Sequence, residues 1–489
     1  MNDHLTRSSW SINMTSTTLA KVAQKSLIVF CLTAFCQAIC LNPAYAFSIG
    51  DERKVGDKLL YKVRKVVKLV DEPDIHQYFK GLGEEVLAVA EGRYFEYRFF
   101  IINDKKFNAF AAPSGLIFFN TGLIEATDFE DEFVSVLAHE VAHAVSRHIA
   151  SQIEKGTVVS LATIGMALAA LALGGGEATQ ALLVGSLAAG KSFQLKFSRQ
   201  DEEEADRLAY KWMKEMGRDP EKMESMLRTM RRINRFKMGK TIPQYLLTHP
   251  NPEIRIDYIQ TLLQRDGEKF ELNRETDQFD FLRIKYRILS MVKDGDMLRN
   301  YLTIKIADNS SSKYDIIMAK YGLSQLDRVE NNYESSSKLL DEVIRFFPAR
   351  PILLADKGVI EYESGKVDQA IEILEGARAK NYNDMYSTFL LAKIYSTKKE
   401  YKKAERYLGL VATELHEYPE VYFEIGKIKS RQNKRGESQY YLGKYNLYSG
   451  RLKLAKANFK KVMNLKDISE KFREDSEELL KHIENVKGD

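Results

Sequence analysis

Cysteine and tryptophan are the scarcest residues in this chain of 489 residues, which has three cysteines and two tryptophans. All three cysteines, Cys31, Cys36 and Cys40, lie near the N-terminus. None has the small-residue context of a lipoprotein site, so no lipid anchor is predicted. After residue 40 the chain has no thiol, which excludes disulfides from the fold of that part.

The cysteines fall inside a segment that is typical of a signal peptide. Lys21 and Lys25 precede an apolar run, residues 27–41, and an Ala-Tyr-Ala site at 44–46 follows. We therefore predict export to the periplasm and cleavage after Ala46. Association of the exported protein with the outer membrane is a further expectation. The predicted mature chain begins at Phe47.

An excess of charge of one sign is also absent. Lys and Arg number 73, Asp and Glu number 68, and the formal net charge is +5, so the sequence gives no electrostatic reason to expect nucleic acid as a partner. A chain of 489 residues with 44% hydrophobic residues is too long for one ordinary domain and can bury substantial cores.

The residues that are present point first to a metal. His139, Glu140 and His143 spell HExxH inside residues 130–150, where apolar residues recur with helical spacing. Histidines four apart project from one side of a helix and can bind one Zn²⁺, while the intervening Glu140 can act as general base. A plain helix with two satisfied histidines is the alternative.

A third ligand has to come from elsewhere. The astacin and matrix-protease pattern would need a glycine at position 146 and a histidine at 149, where this chain has Ser146 and Ile149. His148 is one residue too early, and we interpret it as supporting a ligand from behind or lying on the helix surface. Downstream, Glu202 and Asp206 share one face of a predicted helix, so a glutamate can complete the site while the aspartate orients a histidine. The alternative is an acidic, solvated helix start, which is our interpretation of the adjacent residues 203–204.

The two motifs together resemble a known family. HEVAH followed by SRQDEEEAD is similar to the HExxH…SRxxExxAD signature of the peptidases that include CAAX prenyl endopeptidases and bacterial heat-shock membrane proteases. The resemblance implies Glu202 as third zinc ligand. It also implies that His249, in Thr-His-Pro, and Arg255 lie at the active site, where we count both with Glu140 as catalytic. Residues 113–115, Pro-Ser-Gly, replace a more usual Pro-Gly-Gly, which should alter only a turn.

Alternating residues upstream predict a small antiparallel sheet. Residues 95–101, 107–112 and 116–119 are extended runs, with turns at 103–104 and 113–115. An exposed edge beside the metal can hold a substrate as an added strand. The predicted edge comprises five residues: Asn108, Ala109, Phe110, Ala111 and Ala112. A purely structural hairpin is the alternative.

An almost uncharged segment, residues 156–190, separates the two motifs and is split by three glycines. Its first arm is at the lower limit of length for a membrane span. Three hypotheses remain open: a helical hairpin packed on the catalytic domain, a peripheral contact with a membrane or partner, and a true span.

A period of 34 residues appears in the C-terminal half, where Gly358, Ala392 and Gly426 are equivalent. Small residues follow twelve positions later and leucines sixteen positions later, which is tetratricopeptide spacing. A further copy begins at Gly443, half a repeat after Gly426, so one helix can serve in two pairs. Stacked helix pairs usually form a concave surface that binds protein segments.

We therefore predict an α+β, mostly α protein: a gluzincin-type zinc metallopeptidase domain over 47–265, with one Zn²⁺ per chain, and a tetratricopeptide superhelix over 266–489. The resemblance implies unfolded or stalled outer-membrane β-barrel proteins as substrates and the barrel assembly machinery as partner, reached through the repeats. Rival hypotheses are a chaperone or scaffold with a largely latent peptidase, and an integral-membrane protease anchored by 156–190. A further hypothesis makes His249 a plug on the metal; it could instead stabilise the oxyanion or cap a helix.

Overall fold

The computed structural model describes residues 47–155, 197–237, 244–267, 276–465 and 468–487. The predicted signal peptide and the apolar segment 156–190 lie outside the described residues. Within the described ranges, no helix is long and apolar enough to cross a bilayer.

Two helices open the described part of the chain: α1 (Ile49–Val66) and α2 (Pro73–Val89). The Ser48 side chain accepts the Asp51 N–H and caps α1, and α2 begins with Pro73, which suits the first turn of a helix.

A three-stranded sheet follows, formed by β1 (Arg98–Ile102), β2 (Ala109–Ala112) and β3 (Leu116–Asn120) in the order β1-β3-β2. β2 is antiparallel to β3, but β1 is parallel to it, so the sheet is mixed and the prediction of an antiparallel sheet is wrong in this respect.

The link between β1 and β2 explains the mixed sheet. The backbone oxygen of Asp104 accepts the Gly122 N–H at 2.9 Å and the Thr121 hydroxyl at 2.9 Å. Both donors begin helix α3 (Thr121–Ala126), which directly follows β3. The link therefore passes the end of β3, and β2 pairs on its far side instead of forming a hairpin with β1.

The motif helices are α4 (Glu130–Val145), which carries HExxH, and α6 (Arg199–Glu215), which Ser198 caps. The predicted continuation of the first helix to residue 150 is wrong. The chain breaks after Val145, because Arg147 adopts a left-handed conformation with φ of 51° and its Nε donates to Glu52 of α1 at 2.8 Å. A separate helix, α5 (His148–Lys155), then begins.

All further described elements are helices, and most of those after residue 279 form antiparallel pairs. In chain order they are α7 (Glu221–Lys237), α8 (Gln244–Thr248), α9 (Pro252–Asp266), α10 (Phe279–Val292), α11 (Gly295–Ala307), α12 (Lys313–Val329), α13 (Tyr333–Phe346), α14 (Ile352–Glu363), α15 (Val367–Lys380), α16 (Met385–Thr397), α17 (Tyr401–Glu414), α18 (Pro419–Arg431), α19 (Arg435–Tyr448), α20 (Leu452–Met463) and α21 (Glu470–Lys487).

Close approach between paired helices explains the small residues of the repeat. A Cβ added to Gly358 on α14 would lie 2.5 Å from Leu374, sixteen residues on. One added to Gly443 on α19 would lie 2.5 Å from Phe459, at the same spacing. α19 packs against both α18 and α20, so one helix does serve in two pairs. The predicted fold class is confirmed.

The repeats, predicted over residues 266–489, pack on the peptidase half, predicted over residues 47–265. One continuous apolar core runs from Ile75 on α2 to Ile360 on α14. The Gln77 side chain donates to Asn383 O at 2.7 Å and accepts the Met385 N–H at 3.0 Å, which ties α2 to the start of α16. The described residues from Ser48 onward form one compact unit. The division at residue 265 stays a prediction.

Candidate metal and peptidase site

The HExxH helix α4 crosses α6 at close range. Fully buried alanines occupy the crossing: Ala138, Ala142, Ala205 and Ala209. Their small side chains let the two helices approach, because protein interiors close-pack without gaps. As a result His139 and His143 on α4 face Glu202 on α6.

The ligand atoms of these three residues are spaced for one metal ion. His139 Nε2 lies 3.0 Å from His143 Nε2 and 3.6 Å from Glu202 Oε2, and His143 Nε2 lies 3.5 Å from Glu202 Oε1. Bonds of about 2.0–2.1 Å to tetrahedral zinc place ligand atoms about 3.3 Å apart. His249 joins the group, with its Nδ1 3.4 Å from His139 Nε2. Ligand atoms of all four residues lie within 4.8 Å of one another.

Buried atoms without hydrogen bonds mark the same place. Within the described residues, Glu140 Oε1 and His249 Nε2 make no hydrogen bond and Glu202 Oε2 has only an ion-pair contact with Arg255, although Glu140, Glu202 and His249 are at most 3% exposed. Burying such atoms unpaired is costly, and groups of them call for an ion or other partner. The residues present therefore fit a divalent metal.

Ionisation also favours metal binding. Burial alone would raise the pKa of the Glu202 carboxyl, but the charges of His249 and Arg255 hold that pKa well below its usual range. Burial lowers the pKa of His143 well below its usual value. Glu202 is therefore ionised and His143 neutral near pH 7, which are the forms that ligate metals.

The other motif aspartate lies directly behind a histidine. Asp206 Oδ1 is 2.9 Å from His139 Nδ1, so the Nδ1–H of His139 can donate to it and leave Nε2 free for a metal. Arg255 on α9 donates to both Asp206 oxygens, at 2.8 and 2.7 Å, and its Nη1 lies 3.2 Å from Glu202 Oε2. Arg255 is thus directed at two carboxylates, and it is 7% exposed.

His148 occupies the matching place behind the second histidine. Its Nδ1 lies 2.8 Å from His143 Nδ1, and its Nε2 lies 3.5 Å from Glu204 Oε2. The break after Val145 turns His148 toward the site. Glu203 is exposed, as interpreted, whereas Glu204, also exposed, additionally accepts the Ser146 hydroxyl at 3.2 Å.

The predicted substrate edge lies beside Glu140. β2 is an edge of the sheet, and the Ala111 N–H donates to Glu140 Oε2 at 2.9 Å. However, the five residues of this edge are buried, with exposures of 0–3%. Both side-chain polar atoms of Asn108 are buried without a hydrogen-bond partner. The edge is therefore adjacent to the site but covered.

The segment around His249 provides part of that cover. The Tyr245 ring stacks on the His249 ring with centroids 4.3 Å apart and meets Phe107 edge-on at 5.9 Å. His249 Nδ1 lies 2.9 Å from Glu202 Oε1, and its Nε2 lies 3.5 Å from Glu140 Oε1. His249 is therefore placed between Glu202 and Glu140.

Two aromatic residues at the site were not identified from the sequence. Phe197 stacks on His143 with centroids 3.8 Å apart, and Tyr245 stacks on His249. Tyr245 lies one helical turn before His249, so its spacing could have indicated the contact. Phe197 precedes the capping Ser198 and carries no comparable signal.

Comparisons with known proteins agree with this geometry. Residues 71–263 match the model of peptidase family M48. The chain is 28% identical over 337 residues to the beta-barrel assembly-enhancing protease of Escherichia coli (strain K12), an alignment that covers 68% of this chain and 67% of that protein. It is 31% identical over 194 residues to the mitochondrial metalloendopeptidase OMA1 of Schizosaccharomyces pombe, which covers 40% of this chain and 55% of that protein. The chain therefore contains a peptidase family M48 domain over residues 71–263 and is a metalloendopeptidase, as its two motifs predict.

Proposed function

We propose that this protein is a zinc endopeptidase of the periplasm that degrades unfolded or stalled outer-membrane β-barrel proteins and assists their assembly. The buried cluster of His139, His143, Glu202 and His249 carries the proposal for the chemistry. The name of the Escherichia coli relative supports the substrate class. The predicted signal peptide supports the compartment.

In the proposed site His139, His143 and Glu202 would hold one Zn²⁺, which would supply a Lewis acid for the scissile carbonyl and lower the pKa of water. Glu140 takes a proton from the attacking water and delivers it to the leaving amine. Its Oε1, which has no hydrogen-bond partner, is the atom available for that proton.

Asp206 and His148 fix the rings of His139 and His143 through their Nδ1 atoms, at 2.9 and 2.8 Å. We assign Arg255 a positioning role rather than the catalytic one inferred from the sequence, because its guanidinium is occupied by Asp206 and Glu202. It holds the orienting carboxylate and the ligand carboxylate in one arrangement.

The backbone of β2 is the proposed docking strand for substrate. Asn108 O accepts the Asn120 N–H at 3.0 Å, so the alternation of an antiparallel ladder directs the N–H and C=O groups of Ala109 and Ala111 away from β3. A substrate strand would bond to them and align its scissile bond beside Glu140. In the described conformation Glu140 takes the Ala111 N–H, so substrate has to displace that bond.

His249 provides the proposed restraint. Its imidazole lies within 3.5 Å of the ligand Glu202 and the base Glu140, and it is fully buried. An imidazole there can occupy a metal's remaining position and exclude water. Substrate or a partner would then have to move the segment of Tyr245 and His249 before cleavage begins.

The repeats are the proposed contact with the barrel assembly machinery, and residues 156–190 remain a candidate for peripheral membrane contact. α2 and α16 are joined by Gln77, so the surface of the repeats is continuous with the peptidase half. A scaffold with a latent peptidase is the second candidate, which the buried state of β2 favours.

The proposed function can be tested directly with the purified mature chain. Wild type should contain one zinc per chain and cleave a generic unfolded protein. Glu140→Gln should keep the zinc and lose cleavage by about 10²–10⁴-fold, because the variant lacks the base but keeps all ligands. Equal cleavage by the two proteins would refute the assignment. If the wild type bound stalled β-barrel proteins but cleaved no protein under any condition, the alternative function as a scaffold would be favoured.

A further inference from the structure

Helix α7 has two contrasting faces. Met223, Met226, Leu227 and Met230 are buried, at most 4% exposed, and they line a space of about 10 Å³ behind His139 and Arg255. The opposite face carries four arginines with spacing i, i+3, i+4 and i+7: Arg228, Arg231, Arg232 and Arg235. Residues so spaced lie along one side of a helix.

Three of these arginines have no partner among the described residues. Arg228 donates to Glu224, one turn earlier, at 2.7 Å. Arg231, Arg232 and Arg235 make no hydrogen bond, ion pair or ring contact with the described part of the chain. By contrast, Arg218 just before the helix bonds three carboxylates. Three adjacent guanidiniums therefore keep their donors available.

The arginines line an open groove of about 1050 Å³ between α7 and Leu263 of α9. Glu221 and Glu224 are the acidic residues that line it, and Glu224 is already paired with Arg228. Among the described residues, Leu263 is the one apolar residue that lines the groove, and no aromatic side chain does so. Protein-docking sites have an apolar core with aromatic anchors, and single-stranded nucleic acid needs stacking rings. Apart from Leu263, the described residues that line this groove are charged or carry a hydroxyl group.

We propose that the arginine face of α7 binds phosphate groups, and that their source is the headgroups of an anionic membrane surface. Guanidinium presents paired donors that match phosphate oxygens, and arginine is weakly hydrated, so it gives up water readily on contact. A wide, shallow, basic surface without an apolar centre fits a layer of phosphate headgroups better than a folded partner. The contact would hold the peptidase half at a bilayer, independently of residues 156–190.

The test uses the full mature chain and vesicles of phosphatidylcholine with or without phosphatidylglycerol. The site variant is Arg231→Gln/Arg232→Gln/Arg235→Gln. The control, Lys402→Gln/Lys403→Gln/Arg406→Gln on α17, removes three positive charges with the same spacing from exposed positions. Each basic residue near an anionic surface adds a similar increment of binding free energy. Because the site variant loses three such residues, it should bind phosphatidylglycerol vesicles about 100-fold more weakly. The control should bind as wild type does, and added salt should weaken wild-type binding.

Three outcomes would overturn the proposal. Equal weakening in both variants would show that only total charge matters. Saturable binding of inorganic phosphate without vesicle binding would place a small anion at the site instead of a membrane. Capture of soluble polyglutamate that the site variant loses, with no vesicle binding by wild type, would indicate an acidic protein partner. Thermal unfolding of both variants checks that these exposed substitutions leave the fold intact.

Discussion

Two buried clusters of charge can be compared in this molecule, one at the HExxH site and one between the peptidase half and the repeats. In the second, Arg283 and Arg287 of α10 meet Asp74 of α2 and Asp356 of α14, and all four are at most 6% exposed. Arg283 bonds both aspartates at 2.8–2.9 Å, and Arg287 bonds Asp74 at 3.1 Å. Two positive charges face two negative ones.

The site is not balanced in this way. Glu140, Glu202 and Asp206 are buried with one arginine, Arg255. With His139 and His143 neutral, as metal ligation requires, the three carboxylates outnumber Arg255 by two, and a charge on His249 would offset only one of them. Within the described residues, Glu140 Oε1 and Glu202 Oε2 at the site accept no hydrogen bond, whereas every carboxylate oxygen of Asp74 and Asp356 accepts one.

The difference separates a structural cluster from a functional one. Isolated charge is rarely buried unless it is paired or bound to a metal. The junction satisfies that condition with its own residues and so fixes three helices to one another. The site satisfies it when a divalent cation is present, which is an argument for the metal that is independent of the motif.

The largest expected effect comes from removing a ligand charge at the site. Glu202→Gln should weaken zinc binding by more than the 10–100-fold that loss of an orienting partner behind a ligand costs. Glu203→Gln and Glu204→Gln are matched controls on the same helix and should retain zinc. Competition with a chromogenic chelator measures all three affinities. Equal affinities would remove Glu202 from the site.

The next largest effect is expected when the balanced cluster between the peptidase half and the repeats loses one carboxylate. Asp356→Asn should lower the free energy of unfolding by about 3–5 kcal/mol, because it leaves buried Arg283 without one of its two carboxylates. Zinc affinity should not change. Asp368→Asn, whose partner Lys398 it meets at the surface, is the control and should leave stability unchanged within error. Urea unfolding with and without chelator compares them; a stable Asp356→Asn protein would show that the junction is not electrostatically tight.

A third prediction concerns how stability depends on pH at a second contact between the peptidase half and the repeats. Arg64 of α1 and Arg98 of β1 both bond Glu417, at 2.7 and 2.9 Å. Burial would raise the pKa of Glu417, but these two charges lower it from 4.5 to about 2. A depressed pKa contributes stability above the unfolded value, and that stability is lost as pH falls from 4.5 toward about 2.

Glu417→Gln should therefore cost roughly 3 kcal/mol at pH 7, and less than half of that at pH 3. Urea unfolding of wild type and variant at the two pH values measures the difference. Glu414→Gln removes a half-exposed carboxylate that pairs with Lys80 at the surface, so it is the control and should leave stability unchanged within error. A cost for Glu417→Gln that is constant with pH would show that the two arginines do not act through charge.

The sequence predicts the parts of this comparison that depend on local spacing. His139 and His143 are one helical turn apart, as are Glu202 and Asp206, so their faces follow from helix geometry. The sixteen-residue spacing of Gly358 and Leu374 likewise predicts a helix pair. Such features need only one or two neighbouring elements.

Long-range features could not be predicted in the same way. Asp74 and Arg283 are more than 200 residues apart in the chain, and no local pattern indicates that they meet. The break at Arg147 depends on Glu52, and the parallel pairing of β1 depends on a loop held by Gly122. In each case a tertiary contact overrides a local preference.

The smallest expected effect is at His249, and its sign decides among three roles. If the imidazole plugs the site, His249→Ala should raise basal proteolysis and self-cleavage by about tenfold or more, since a minor open state is usually populated at ~0.1–10%. If His249 stabilises the oxyanion, the variant should lower both, and Tyr245→Phe should lower turnover as well, because the Tyr245 hydroxyl is buried beside it without a hydrogen-bond partner. If His249 only shapes the loop, neither rate should change. Zinc content must stay at one per chain in both variants, because a rate that falls with the metal would report on binding. A fall in turnover with zinc intact would decide against the plug.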